Sequence, residues 1–318
     1  MQRMIKGLLA ATPFMVVGGL LYAALFIKPA VEASQLKPPA IQRGEFMYGI
    51  AAPSRQQLLG VGSVGKVWRS QDLGASWTVG QSPAQQSLQD VAAWDRERAV
   101  AVGDGGMVLA SHDGGETWSK AEAALRSPAK LVRVRTAAPA VAWAVGEMGV
   151  ALATADYGAT WSRKTPDEDK AWNDVGFAGP RTVLVGEFGR ISVSADDGAT
   201  WTAVSSPVKT SLMAVAFRDD LHGVAVGLDG AVVSTADGGL RWKREQQVSA
   251  AHLFDVSWDG AQWLAVGEAG VLLRGHADGS AWRAARIVDG NRQWHTRILP
   301  VGQVAIASGE AVNQVDRR

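Results

Sequence analysis

The sequence predicts an all-β fold, namely a seven-bladed β-propeller of four-stranded antiparallel blades. One observation behind this prediction is the motif Ser-x-Asp-x-Gly-x-Thr-Trp, which recurs along the 318-residue chain. The tryptophans that end its six copies lie 41, 43, 40, 41 and 40 residues apart, and they are Trp77, Trp118, Trp161, Trp201, Trp242 and Trp282. A period of this length is typical of repeat proteins built from small β-units. The other observation is that no segment after residue 30 has the length and periodicity of a helix.

Each copy of the motif is predicted to be a hairpin turn between the third and fourth strands of a blade. A short Asp side chain can accept hydrogen bonds from backbone N–H groups, Gly can adopt the positive φ of such a turn, and the Trp ring can cover it. We therefore expect a structural role for the aspartates of the five intact copies, which are Asp72, Asp113, Asp156, Asp196 and Asp237. In the sixth copy, Ala277 stands at the Asp position.

A second recurring element, Val-Gly-x-x-Gly, is predicted to join the second and third strands of each blade. Two glycines that flank two residues between apolar runs indicate a hairpin. In the second repeat, the four strands are predicted at Leu88–Trp94, Ala99–Gly103, Met107–Ser111 and Thr117–Glu122. Four short strands in about 41 residues describe one propeller blade.

The number of blades depends on the last part of the chain. Six repeats are complete between Phe46 and Ala285, and residues 293–315 contain three further strand-like runs without a copy of the Trp motif. We expect the segment Ala40–Glu45 to supply the fourth strand of a seventh blade, because a closed ring leaves no exposed sheet edge. The propeller domain is thus predicted to span residues 40–318, and six blades with a loose C-terminal segment is the alternative.

The N-terminal segment is predicted to be a hydrophobic helix that anchors the chain in a membrane. Leu8–Ile27 is a run of twenty residues without a charge, which is enough to span a bilayer, whereas a cleaved signal peptide has an apolar region of about 7–15 residues. Arg3 and Lys6 precede this run and favour a cytoplasmic N-terminus, so the propeller would be exported. Residues 1–28 are assigned to this signal anchor and residues 29–39, with three prolines, to a linker. Cleavage after Ala33 is the alternative.

Composition argues against several functional classes. The 32 Lys and Arg residues nearly balance the 31 Asp and Glu residues and form no basic run, so no nucleic-acid partner is expected. The chain has no Cys, which excludes disulfides and thiolate metal sites. Its five His residues show no metal-ligand spacing, and no nucleotide-binding fingerprint is present. We therefore expect neither a metal nor a cofactor.

The residue after the first Gly of Val-Gly-x-x-Gly is acidic in most repeats. The acidic residues are Asp104, Glu147, Glu187, Glu268 and Glu310, whereas Ser63 and Leu228 take this position in the other two repeats. In an up-and-down blade these turns all lie on one face of the ring. Two interpretations remain open: each carboxylate caps local N–H groups, or together they form an acidic binding face for a basic partner or a cation.

The first strands, which are innermost in a propeller, carry charged residues at one equivalent position. Asp90, Arg133, Asp174, Asp255 and Arg297 are therefore predicted to gather near the axis. Mutual pairing of buried charges is one explanation, and a central ligand-binding funnel is the other.

Catalytic motifs are hardly represented. A sialidase needs an arginine triad and a Tyr/Glu pair, but Tyr48 is the only one of the three tyrosines outside the hydrophobic segment and the Trp motif. No nucleophile elbow is present. We therefore predict that the protein is not an enzyme.

The full repeat, Val-Gly-(Glu/Asp)-x-Gly-x-(hydrophobic)-x-x-Ser-x-Asp-Gly-Gly-x-Thr-Trp, resembles that of the photosystem II stability/assembly factor family of BNR, or Asp-box, propellers. The second repeat, Val102–Trp118, matches almost throughout, and the resemblance extends from Phe46 to Val315. It implies a seven-bladed propeller without a catalytic site that assists the assembly of a membrane complex through surface contacts. The arginine-rich patch of photosynthetic members is not expected here, because the arginines of this chain are scattered.

Two functions are predicted on this basis. The first is a non-catalytic, membrane-tethered scaffold or assembly factor that docks an integral membrane protein or complex, such as a transporter, through one propeller face. The resemblance to relatives from non-photosynthetic bacteria, together with the anchor, implies a single-pass protein of the bacterial inner membrane with its propeller in the periplasm. The alternative is a glycan-binding or sialidase-like glycoside-hydrolysing propeller.

Overall fold

The computed structural model describes residues 41–125, 127–290 and 292–317, which form seven β-sheets arranged as the blades of a ring. The seven-bladed all-β propeller is thereby confirmed, and the six-bladed alternative is wrong. The predicted anchor and linker, residues 1–28 and 29–39, lie outside the described residues. Within the three described ranges, no helix has the length and apolar character needed to cross a membrane.

The first three blades contain thirteen of the strands. Blade 1 comprises β1 (Met47–Ala51), β2 (Leu58–Gly62), β3 (Lys66–Ser70) and β4 (Thr78–Gln81). Blade 2 comprises β5 (Leu88–Ala93), β6 (Ala99–Gly103), β7 (Val108–Ser111) and β8 (Ser119–Lys120). Blade 3 comprises β9 (Glu122–Ala123), β10 (Leu131–Ala138), β11 (Val141–Gly146), β12 (Ala151–Thr154) and β13 (Thr160–Arg163).

The remaining four blades follow the same pattern. Blade 4 comprises β14 (Trp172–Ala178), β15 (Arg181–Gly186), β16 (Ile191–Ser194) and β17 (Thr202–Val204). Blade 5 comprises β18 (Leu212–Phe217), β19 (Gly223–Gly227), β20 (Val232–Thr235) and β21 (Lys243–Arg244). Blade 6 comprises β22 (Leu253–Trp258), β23 (Trp263–Gly267), β24 (Val271–Gly275) and β25 (Arg283–Arg286), and blade 7 comprises β26 (His295–Val301), β27 (Val304–Gly309) and β28 (Asn313–Asp316).

The antiparallel pairing within each blade defines two faces of the ring. In blade 2, the start of β5 pairs with the end of β6 (Leu88 with Gly103), while the start of β6 pairs with the end of β7 (Ala99 with Ser111). The turns between second and third strands therefore lie on one face, which we call the crown face, together with the connections between blades. The Asp boxes lie on the opposite face, the box face.

The hydrophobic core is divided among the junctions between neighbouring blades. Successive side chains of a strand point to opposite faces of the sheet, and each blade is covered on both sides, so the second strands are mostly apolar. In β6, for example, Val100 and Val102 pack toward blade 3, whereas Ala99 and Ala101 pack toward blade 1. Each of the seven junctions has its own cluster of buried residues.

The Asp boxes are turns held by side-chain hydrogen bonds. Asp113 accepts hydrogen bonds from the backbone N–H of Thr117 (2.9 Å), from its hydroxyl (2.5 Å) and from the hydroxyl of Ser111 (2.9 Å). The indole N–H of Trp118 donates to the carbonyl of Gly115 (3.2 Å), so the ring covers the turn. In the equivalent box of blade 4, the hydrogen bond from the Thr200 hydroxyl lowers the pKa of Asp196 to about 2.

The sixth, degenerate box keeps the turn by a shifted contact. Asp278, one residue after Ala277, accepts hydrogen bonds from the backbone N–H (3.0 Å) and the hydroxyl (2.7 Å) of Ser280. The indole of Trp282 still donates to the carbonyl of Gly279 (2.7 Å). The Trp contact is therefore retained even where the Asp has moved.

The ring closes differently from the prediction. Residues 41–45, which were expected to add a strand to blade 7, form a turn in which the N–H of Glu45 donates to the carbonyl of Gln42 (3.0 Å) and Glu45 pairs with Lys66. Blade 7 has three strands among the described residues. Blades 1 and 7 instead join through a shared apolar cluster and a hydrogen bond from the Thr296 hydroxyl to the carbonyl of Tyr48 (2.8 Å).

Blade 3 gains an additional strand that the repeat did not predict. The outer strand of blade 2, β8, has only two residues, and the chain then crosses to pair β9 in parallel with β13 of blade 3. The N–H of Ala124 donates to the carbonyl of Trp161 (3.1 Å) and continues this pairing. Blades 2 and 3 are therefore fused at their outer edges.

We predict that Asp113→Ala lowers the free energy of unfolding by about 1 kcal/mol, because the N–H of Thr117 loses its side-chain acceptor at an exposed turn. The measurement is equilibrium unfolding in urea. His112→Ala, in the same turn, is the matched control, since His112 is exposed, and it should leave the free energy unchanged. Equal effects of the two substitutions would contradict the assigned role of Asp113.

Candidate functional site

Most crown-turn carboxylates cap the first strand of their own blade. Each accepts a hydrogen bond from the backbone N–H of the residue that precedes this strand. The distances are 3.3 Å for Glu147 with Lys130, 2.9 Å for Glu187 with Ala171, 3.0 Å for Glu268 with His252 and 3.4 Å for Glu310 with Trp294. In blade 1, the hydroxyl of Ser63 accepts from the N–H of Phe46 (3.0 Å) in the same way.

The crown turns also differ in how their charge is compensated. Asp104, whose side chain is shorter, accepts from the amide of Gln89 (2.9 Å) and lies 3.4 Å from the ammonium group of Lys130. Glu147, Glu187, Glu268 and Glu310 form no ion pair with any residue that the structure describes. The inner rim of the crown face therefore carries four carboxylates whose charge no described basic side chain neutralises.

The five charged residues of the first strands come together at the axis, and a sixth joins them. Arg133 lies 3.1 Å from Asp255 and 3.4 Å from Asp174, while Arg297 lies 2.9 Å from Asp90. Arg135, which the sequence analysis did not select, forms two hydrogen bonds with Asp174, of 2.8 Å and 2.7 Å. We call these three Asp and three Arg residues the axial network.

Burial and charge act in opposite directions on Asp174, which is fully buried. Burial alone would raise the pKa of this carboxyl, but Arg133 and Arg135 together bring the pKa below its ordinary value. Burial lowers the pKa of Arg133, and the neighbouring charge of Arg297 acts in the same direction. Equal numbers of Asp and Arg side chains compensate each other, so the cost of burying each charge is offset by its partners.

The axial aspartates also link one blade to the next. Asp90 of blade 2 accepts from the N–H of Val134 in blade 3 (2.9 Å), and Asp174 of blade 4 accepts from Val215 in blade 5 (2.9 Å). Asp255 of blade 6 accepts from Ile298 in blade 7 (2.8 Å). Each bond joins an even-numbered blade to the following odd-numbered one.

Blade 1 contributes Gly49 at the position where the other first strands carry Asp, Arg or Ala. A Cβ atom at Gly49 would lie 2.6 Å from the Cα of Asp90 and 2.9 Å from the N of Val91. β1 and β5 therefore approach closely at the axis, and only Gly fits between them.

A central depression opens above the axial network on the crown face, with a volume of about 180 Å³. Every first strand has a β-bulge next to its axial position, and the bulged residue is directed into the depression. These seven residues are Tyr48, Gln89, Val132, Asn173, Met213, Phe254 and Thr296. Their residue types vary from blade to blade, so the repeat pattern does not single them out, although each directly precedes the axial position of its repeat.

Three crown turns present large apolar side chains to solvent. Val64, Met148 and Phe188, which we call the apolar tips, are 62%, 44% and 67% exposed. Each has a positive φ, of 54°, 56° and 57°, a conformation that disfavours bulky and β-branched residues. In blades 2 and 5, Gly105 and Asp229, which tolerate this conformation better, take the same position.

A groove of about 680 Å³ lies on the crown face between blades 2 and 3, where β9 crosses. It is lined by Ala124, Leu125, Arg163, Thr165, Pro166 and Asp167. The guanidinium of Arg163 donates to the carbonyls of Pro166 (3.1 Å) and of Met148 (2.9 Å), so the groove adjoins an apolar tip. Its Leu, Ala and Pro side chains offer contacts to apolar groups, while Arg163, Thr165 and Asp167 form the polar part of the lining.

Across the described ranges, no group of three or more His, Asp or Glu side chains has an arrangement that could hold a metal ion. The axial carboxylates are bonded to arginines and to backbone amides, and the crown carboxylates lie on separate blades.

Comparison with known proteins identifies relatives of this chain. The model of the family described as photosynthesis system II assembly factor YCF48 matches residues 70–203 and 193–292. No curated protein matches the sequence.

Solved propellers have the same fold. A structure of YCF48 bound to a D1 peptide has a TM-score of 0.72 and 16% identity, over 86% of this chain and 93% of that one. YCF48 from Cyanidioschyzon merolae has a TM-score of 0.70 and 16% identity, over 86% and 96% of the two chains. The WD40 β-propeller domain of Doa1 has a TM-score of 0.69 and 13% identity, over 86% and 94%.

Removing a buried carboxylate tests the axial network. We predict that Asp174→Asn lowers the free energy of unfolding at neutral pH by about 3 kcal/mol, because Arg133 and Arg135 lose a buried counter-charge. The pKa of Asp174 is lower in the folded chain than in the unfolded one, so its contribution is present above about pH 4 and is lost as the pH falls through the folded pKa. The difference between wild type and variant should therefore shrink on acidification.

Urea unfolding over a series of pH values measures this difference. Glu187→Gln, which keeps an acceptor for the N–H of Ala171 on the crown face, is the control and should stay within about 0.5 kcal/mol of wild type. A variant as stable as wild type at neutral pH would show that Asp174 does not hold the axial network together.

The close approach of β1 and β5 at Gly49 can be tested by adding a methyl group there. Gly49→Ala should lower the free energy of unfolding by about 1–3 kcal/mol, because the added methyl group overlaps the backbone of β5. Gly80→Ala in the outer strand β4 has nothing within 4 Å of the added Cβ and serves as the control. Thermal unfolding compares the two, and a tolerated Gly49→Ala would mean that β1 and β5 lie farther apart.

Proposed function

The chain belongs to the family of the photosynthesis system II assembly factor YCF48, and on this premise we propose that it is a non-catalytic scaffold or assembly factor that docks a membrane protein or complex on its crown face. We further propose that the hydrophobic run Leu8–Ile27 tethers it to the bacterial inner membrane, with the propeller in the periplasm. Such a tether would hold the propeller near integral membrane partners, of which a transporter is one example. The same premise supports the absence of enzymatic activity.

The observation that carries this proposal is the presence of the apolar tips. A non-Gly residue in the left-handed conformation costs about 1 kcal/mol, and an exposed apolar side chain gains nothing from folding. Gly105 and Asp229 indicate that the same turn forms without a large apolar residue. Three costly apolar side chains on one face, of which Met148 adjoins a partly apolar groove, are therefore explained by contacts with a partner.

A relative supports the choice of a polypeptide partner. YCF48 has been solved bound to a D1 peptide, and its fold is that of this chain. We propose that the partner here is likewise a protein, contacted through an extramembrane segment.

No structural feature favours the alternative, a glycan-binding or glycoside-hydrolysing propeller. That function would need carboxylates and arginines that converge on an open pocket. Asp90, Asp174 and Asp255 are buried and bonded within the axial network. The central depression above them is lined largely by apolar and uncharged side chains, and its two arginines, Arg133 and Arg297, are paired with axial aspartates.

Removal of one apolar tip tests the docking face. Phe188→Asn should reduce capture of a membrane partner about tenfold, since a large exposed apolar anchor is lost. The same change should not lower the unfolding temperature, because Asn tolerates the left-handed backbone of this turn. The measurement is affinity capture of the full-length protein from detergent-solubilised membranes of its own cells, followed by quantitative mass spectrometry.

The matched control for this experiment lies on the other face. Leu240, in the Asp box of blade 5, is 46% exposed, and Leu240→Asn removes a comparable apolar side chain. It should leave capture unchanged. Equal capture by wild type and Phe188→Asn would refute docking through the crown face, and the absence of any membrane protein from the wild-type capture would refute the scaffold function itself.

A further inference from the structure

The crown face of blades 2 to 4 carries apolar and acidic groups side by side. We call this surface the strip, and it comprises the groove between blades 2 and 3, the tips Met148 and Phe188, and the carboxylates of Glu147 and Glu187. We propose that it recognises an extended segment of the partner that carries both apolar and positively charged side chains. This inference rests on the proposed docking function and adds the chemistry of the occupant.

The apolar part of this recognition is built from two kinds of surface. The groove between blades 2 and 3, with Leu125 and Pro166 in its lining, is large enough for several side chains. The tips Met148 and Phe188 stand on the next turns around the ring, in blades 3 and 4. A segment that crosses these blades therefore meets apolar surface at successive points, which suits apolar side chains at intervals along an extended chain.

The charge of the strip follows from how its ionic groups are paired. Arg163 lies 2.6 Å from Asp167, and Arg190 lies 2.5 Å from Glu168, so both guanidinium groups are neutralised within the strip. Glu147 and Glu187, which stand next to the tips Met148 and Phe188 in sequence, have no ion-pair partner among the described residues. The strip therefore presents two carboxylates that form no described ion pair directly beside its apolar groups.

The crown carboxylates are also held in position. One oxygen of Glu147 accepts from the N–H of Lys130, and one oxygen of Glu187 accepts from the N–H of Ala171. The remaining oxygen of each carboxylate has lone pairs to offer to an incoming ammonium or guanidinium group. A cationic side chain can thus bind to the remaining oxygens while the hydrogen bonds to Lys130 and Ala171 stay in place. The crown turns then keep their stability.

Charge complementarity decides between possible occupants. An acidic segment would place like charges beside Glu147 and Glu187, and a surface of anionic lipid would do the same. A purely apolar segment would bury these carboxylates without a counter-ion, which costs free energy. A segment with both basic and apolar side chains supplies counter-ions for Glu147 and Glu187 and also covers the apolar groups of the strip.

The test uses the full-length protein in detergent and three fluorescent peptides of equal length. The first alternates Leu and Phe with Lys, the second replaces every Lys with Glu, and the third replaces every Leu and Phe with Ser. Fluorescence anisotropy at low and moderate salt measures binding. We expect the first peptide to bind at least tenfold more tightly than the others, with affinity falling as salt rises.

Variants locate the binding on the strip. Phe188→Asn and Met148→Asn should each weaken the first peptide about tenfold, and the double change Glu147→Gln with Glu187→Gln should weaken it several-fold and reduce its salt dependence. Leu240→Asn on the box face should have no effect. Binding that none of the strip variants alters would overturn the assignment of the site.

The outcomes separate this inference from the proposed function. If the Glu-containing peptide binds as well as the Lys-containing one, or if the Lys-containing peptide does not bind, the assigned chemistry is wrong. Should Phe188→Asn nevertheless abolish capture of a membrane protein from detergent extracts, docking through the crown face stands with a different occupant. If membrane capture is also unaffected, both proposals fail.

Discussion

The axial network is the constraint on which the rest of the propeller depends. Seven first strands converge on one axis, where the backbone N–H groups of Val134, Val215 and Ile298 are buried and need acceptors. Asp90, Asp174 and Asp255 provide these acceptors, and the three arginines offset their buried charge. Removing any one member would leave its partners buried with fewer counter-charges, so the network acts as a unit.

The features of the crown face follow from this arrangement. Because the axial network fixes the first strands, the bulged residues above it line one central depression. The crown carboxylates then complete the ends of the first strands by accepting their leading N–H groups. Most acidic residues of this face thus have a structural role, because they cap the first strands. The exposed apolar tips have no such role in folding.

The sequence alone was sufficient for the architecture because each blade repeats the same two turns. The charged residues that share one position in the first strands also meet at the axis, as the repeat predicts. They are Asp90, Arg133, Asp174, Asp255 and Arg297. Arg135 escaped notice because only one blade has a charge at that position. The predicted closing strand at Ala40–Glu45 was wrong because Gln42–Glu45 forms a hydrogen-bonded turn. Such a turn has no periodic pattern in the sequence.

The features on which the proposed docking face depends were the least accessible to sequence reasoning. The apolar character of Val64, Met148 and Phe188 is visible in the sequence, but their meaning depends on a positive φ and on exposure, which only the structure provides. The groove between blades 2 and 3 depends on the crossing of β9, which interrupts the repeat. Both features arise where the blades differ from one another, whereas sequence analysis of a repeat protein reveals what they have in common.

The absence of blade 1 from the axial network has a mechanical consequence. Among the described residues, the axial carboxylates accept amide N–H groups of blades 3, 5 and 7, while blade 1 contributes only Gly49 at the axis. Ile41, the first residue that the structure describes, packs against the apolar cluster between blades 1 and 7. A pulling force at this end of the chain would therefore act first on the junction between blades 1 and 7. This junction is held by apolar packing and a few hydrogen bonds. The propeller would begin to open there, while the blades joined at the axis stayed together.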